Sequence, residues 1–152
     1  MKQIVMLVLG SILSLSSFSQ KLNPDYDSVL ARKLGADDNG MKRYILVILK
    51  TGSVNPEAGA KRDSLFRGHM DNINRLVSEG KLVVAGPLGQ NSRSYRGIFI
   101  LNVKTLDEAA KLIESDPTVK EKIFDTELYE WYGSAALSEY LEASKKTAKF
   151  SF

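Results

Sequence analysis

The six residues YILVIL at positions 44–49 constrain this chain more than any other stretch. Successive side chains of a β-strand point to opposite faces, so a strand with one wet face alternates apolar and polar residues. This one does not alternate, and neither does IFIL at 98–101. A sheet built on these two strands needs cover on both faces.

The surrounding periodicities give the rest of the order. A strand is predicted over Arg43–Lys50 and a helix from about Lys61 to Glu79, stopped by Gly80. KLVVAGPL follows as a strand ending at Gly86-Pro87, and after the polar connection GQNSRSYRG a third strand is expected over Ile98–Val103. Thr105 opens a second helix, with Glu108 three residues on as the return partner of a capping box. PTVKEK reads as one further helical turn, IFDTELYEWYG as the last strand and SAALSEYLEASKK as a C-terminal helix. Strand, helix, strand, strand, helix, strand is the split βαβ, or ferredoxin-like, α+β arrangement (βαββαβ). Two helices cover only one face of its four-stranded sheet. A second copy packing sheet against sheet would supply the other cover, so a homodimer is expected.

The ends of the chain read differently. Residues 1–19 join a basic Lys2 to an apolar run from Ile4 to Leu15 and then to small residues, the pattern of a secretory signal peptide cleaved after Ser19. The apolar run is shorter than the roughly 20 residues a membrane span needs. The mature protein is thus expected in the periplasm or outside the cell, with no membrane contact. Residues 20–41 read as a linker or lightly docked extension with a helical patch at Ser28–Leu34, and residues 135–152 as the C-terminal helix and tail.

Composition removes several chemistries. With no cysteine and one histidine, thiol catalysis, disulfides, lipid-modified cysteine and the usual zinc constellations are excluded, and no metal is expected. No GxSxG, P-loop or GxGxxG motif is present, so no nucleotide cofactor is expected either. A net charge of +3, with basic and acidic residues interleaved, argues against nucleic acid as a partner.

What is left is His69 with carboxylates and arginines. Taking Leu65 as zero at about 100° per residue, His69 falls at roughly 40° and Arg62 at roughly 60°, inside the stripe of Leu65, Ile73 and Leu76. A polar ring and an arginine on a sheet-facing stripe suit the edge of a cavity. The plainer alternatives are a core histidine satisfied by backbone carbonyls and an arginine that snorkels to solvent. Asp116, followed by Pro117, is an N-cap by pattern, yet an N-cap engages one carboxylate oxygen and leaves the other for an imidazole N–H. Gly86 would let backbone approach a ligand. Tyr129, Trp131 and Tyr132 in YEWYG fit packing on the closing strand.

KRYILVIL, the Arg62/His69 pair seven residues apart, EGKLVVAGPLG, RGIFILNVKTLDEAAKLIESDPTVKEKIF and ELYEWYG, taken in order, resemble a YciI (YCII-related) domain over residues 42–134. The resemblance implies a dimeric ferredoxin-like α/β barrel. It implies His69 and Asp116 as a His-Asp pair acting as general acid or base in a pocket, with Arg62, Gly86 and Pro87 beside them, on a small organic molecule, anionic ones included. Activities among relatives of the fold include lactone- and chloroaromatic-type eliminations. Two features depart from the family: Thr118 follows Asp-Pro where a bulky apolar or aromatic residue is usual, and relatives are usually cytoplasmic. The alternative is a ligand-binding or structural homodimer in which His69–Asp116 is a structural hydrogen bond.

Overall fold

The computed structural model describes residues 22–147 and 149 of the 152 in the chain. The leader and its cleavage point lie outside the described residues. The elements run α1 (Ser28–Leu34), β1 (Met41–Thr51), α2 (Ala60–Ser78), β2 (Leu82–Pro87), β3 (Tyr95–Leu101), α3 (Leu106–Glu114), α4 (Pro117–Lys120), β4 (Phe124–Ser134), a 3₁₀ segment (Ala135–Glu139) and α5 (Tyr140–Thr147). The strands form one antiparallel sheet in the order β2-β3-β1-β4, the ferredoxin-like α+β fold. YILVIL and IFIL are therefore neighbours at its centre, with Val47 opposite Phe99 and Leu46 opposite Ile100.

The two parities of β1 go to two cores. Ile45, Val47 and Leu49 face α2 and α3 and pack with Leu76, Phe99 and Ile113. Fully burying a side chain of this size contributes about 1.5–3 kcal/mol. Tyr44 faces the other way and joins Val83 and Ile100, against which Trp131, Leu137 and Leu141 pack. The last two belong to the 3₁₀ segment and α5, so the chain covers part of its own second face. The Tyr44 hydroxyl fixes that segment's start by donating to the Ser134 carbonyl at 2.8 Å. This corrects the expectation that a second copy must supply the whole cover. Away from the C-terminal segment, Ile48 and Ile98 stay half-buried and Tyr129 is exposed.

Three local readings shift. β3 starts at Tyr95, not Ile98, because the Asn91 side chain closes the preceding turn: its Oδ1 accepts from the amides of Arg93 and Tyr95, both at 3.1 Å. Half of the predicted capping box forms, since the Glu108 amide donates to Thr105 Oγ1 at 3.1 Å while the Glu108 carboxylate accepts from Lys81 at 2.8 Å. β2 starts at Leu82, not Lys81, and ends at Gly86-Pro87 as expected: Gly86 pairs with Ile98 and Pro87 with Gly97. Because β2 is an edge strand, the missing N–H of Pro87 is tolerated there.

Candidate functional site

The site begins with a glycine. Gly68 lies inside α2, where glycine costs up to about 1 kcal/mol relative to alanine. A Cβ there would stand 2.9 Å from Pro117 Cγ, closer than real Cβ atoms come. Without that Cβ, α4 closes onto α2, and the residues flanking the contact, His69 and Asp116, meet.

Asp116 is wholly buried and spends both oxygens. As N-cap of α4 its Oδ1 accepts from the Thr118 amide at 2.9 Å and the Thr118 hydroxyl at 2.6 Å. Its Oδ2 lies 2.7 Å from His69 Nδ1 and accepts from Asn72 Nδ2 at 3.3 Å. Burial pushes the pKa of this carboxyl up, but the hydrogen bonds from His69 and Thr118 outweigh it and hold the group below its ordinary value of 3.8. An ionised carboxylate only accepts, so Nδ1 is the protonated ring nitrogen. A second tier supports the first: Asn72 Oδ1 accepts from Arg75 Nη2 at 2.7 Å and from the Ser115 hydroxyl at 3.1 Å.

The imidazole sits among three phenylalanines. Phe99 stacks on it with ring centroids 6.0 Å apart, and Phe66 and Phe124 approach edge-on at 6.5 and 5.5 Å. Every buried side-chain nitrogen and oxygen among the described residues has a hydrogen-bond partner. Nε2 has none, so that atom is open to solvent. The ring thus has one nitrogen fixed by a buried carboxylate and one free for a visiting molecule, the geometry a general acid or base requires.

Phe66 and Phe124 are also walls of a small hollow of about 90 Å³, completed by Thr51, Val54, Asn55, Pro56, Arg62, Arg96 and Ile123. The Arg62 guanidinium lies 5.6 Å from the centre of the Phe66 ring. Gly52, next to Thr51, packs directly on backbone: a Cβ there would collide with Lys122 and Ile123, and the Gly52 amide donates to the Ile123 carbonyl at 2.8 Å.

The structure therefore brings His69 and Asp116 into contact and sets Arg62 at the hollow that shares two walls with the ring. His69 itself does not line the hollow. Gly86 and Pro87 do not line the inner hollow. Pro87 lines a wider outer hollow of about 520 Å³, which meets the inner one at Thr51 and Arg96. Gly86 lines neither, and a Cβ on it would meet nothing. Asn72, Thr118, Gly68 and Arg96 escaped the sequence reading as site residues. Asn72 had a signal, being three residues after His69 on the same helix face. Gly68 had one in its cost to a helix interior. Arg96 had none, because it fell in a stretch read as a polar connection.

The family model of the YCII-related domain matches residues 41–132. An uncharacterized protein of Bacillus subtilis (strain 168), YjpA, is 28% identical over 91 residues, which cover 60% of this chain and 95% of that protein. Among solved structures, a 5-chloro-2-hydroxyhydroquinone dehydrochlorinase from Burkholderia phenoliruptrix AC1100, in complex with 2,5-dihydroxybenzoquinone, aligns with a TM-score of 0.42 and 21% identity over 57% of this chain and 92% of its own. At that distance the likeness bears on neither substrate nor site.

Proposed function

The chain belongs to the YCII-related domain family, and from that premise we propose that it is a small-molecule enzyme in which His69, oriented by Asp116, takes or gives a proton. One observation carries the reading: the ring is tethered at Nδ1 by a fully buried carboxylate while Nε2 is unbonded and wet. Asp116 fixes the tautomer and stabilises the ring when it is charged, and Thr118 and Asn72 keep the carboxylate from turning. Such proton transfer contributes typically about 10²–10⁴-fold to a rate. The groups named suffice for that chemistry on a lyase, isomerase or hydrolase substrate. The reading includes the expected leader over residues 1–19, hence work outside the cytoplasm. It also includes a homodimer formed through the part of the second face left by the C-terminal segment, around Ile48, Ile98 and Tyr129.

The second reading, a structural pair, is favoured by the complete use of both Asp116 oxygens within the chain and by the absence of His69 from the hollow's lining. Imidazole NMR separates the two. An acid or base site predicts that the His69 Nε2 signal shifts when a library of small organic molecules is added. In parallel, His69→Asn should abolish any turnover found in that library. A ring that does not respond, in a variant series where only melting changes, means the pair is structural.

A further inference from the structure

Two arginines border the inner hollow, and neither is neutralised. Arg62, in the first turn of α2, and Arg96, near the start of β3, make no ion pair among the described residues, where the close ion pairs engage Lys33, Lys50, His69, Arg75, Lys81 and Lys145. The Gly59 N-cap brings no side chain to the first amides of α2, and Asp63 is the acidic residue of that first turn. The remaining wall is mainly apolar: Phe66, Phe124, Ile123, Pro56 and Val54. Two free guanidiniums over a phenylalanine-walled recess suit a ligand with an anionic head on a carbon body.

We propose that Arg62 and Arg96 together hold the carboxylate of the substrate, and that the substrate is an organic carboxylate whose body continues into the outer hollow. At roughly 30 Å³ per water, the inner hollow of about 90 Å³ accepts a carboxylate and the carbon or two that bear it. Arg96 borders both hollows, so a ligand gripped there has about 520 Å³ beyond it for the rest of the molecule. A planar carboxylate offers one oxygen to each guanidinium. This names the substrate class of the site described above and rests on that reading only for what happens after binding.

The test uses benzoate as probe and benzamide as its neutral counterpart, titrated into the full chain by NMR of the arginine Nε–H groups and by calorimetry. Benzoate should saturate, shift the Arg62 and Arg96 signals and weaken as salt is raised, while benzamide should not bind. Arg62→Gln and Arg96→Gln should each weaken benzoate by about tenfold or more, the size of one charge-assisted hydrogen bond, with melting temperature unchanged. His69→Asn should leave benzoate binding intact, which separates this proposal from the catalytic one. Equal affinity for benzoate and benzamide, wild-type affinity in either arginine variant, or tighter binding of inorganic phosphate than of benzoate overturns the carboxylate site. A histidine that responds to neutral ligands while benzoate fails would overturn it and leave the catalytic reading standing.

Discussion

The two halves of α2 differ in how they treat polar groups. From Gly68 onward the helix is bolted down: Gly68 against Pro117, His69 and Asn72 onto Asp116, and Arg75 onto Asn72, Ser115 and Glu79. In the first turns Gly59 provides no side-chain cap, and the Arg62 guanidinium lies over the Phe66 ring without an ion pair among the described residues. Buried polar groups must be matched or they cost stability, whereas unmatched charge at an open recess costs little and is available to a ligand. One helix thus carries both the scaffold of the site and its reach.

That contrast breaks most visibly at Asp116. Asp116→Ala removes an N-cap and strips the partners from His69, Asn72 and Thr118, and it should cost about 3–5 kcal/mol in urea unfolding. The effect depends on pH in a definite direction. Because the folded carboxyl sits below its ordinary value of 3.8, its contribution is complete above that value and disappears as pH falls through the lower folded one. The stability gap between wild type and Asp116→Asn should therefore shrink below about pH 4. A gap that widens on acidification would contradict the assignment of an ionised Asp116.

Gly68→Ala should act next in size. The added methyl meets Pro117 Cγ at 2.9 Å, so α4 must back away, at a net cost of about 1–2 kcal/mol after the gain in helix propensity. Its particular signature is a lengthened His69–Asp116 contact, seen as an upfield move of the Nδ1 proton. Stability lost with that proton unmoved would mean that the helix contact does not set the pair.

Smallest of all, Arg62→Gln and Arg96→Gln should each change unfolding free energy by less than about 0.5 kcal/mol. A loss at either arginine comparable to that at Asp116 would erase the distinction between the two halves.

How much of this could be read from the chain follows the same division. His69 and Asp116 were legible because each broke a local rule in a measurable way. A titratable ring stood in an apolar stripe, and an Asp-Pro cap left one oxygen free. The β1 and β3 patterns likewise announced a sheet covered on both sides. The rest required tertiary placement. Asn72 shares a helix face with His69, but nothing local names its partner, Asp116, 44 residues later in sequence. Arg96 was hidden by the Asn91 turn, which starts β3 three residues before its apolar stretch. The leucines at 137 and 141 announce a helical face by spacing, but nothing local says that this face folds back over Tyr44 and Val83.

The second core also gives the molecule a built-in optical gauge. Its single tryptophan, Trp131, lies flat over Gly133, where no Cβ would fit, and 5.7 Å from the Tyr44 ring beneath Leu137 and Leu141. The indole stands on the opposite side of the sheet from His69. Its emission follows docking of the C-terminal segment and leaves events at the imidazole to other probes. An early red shift on heating would mark the release of α5 from a sheet still folded, and so show whether the two sides of this domain melt together.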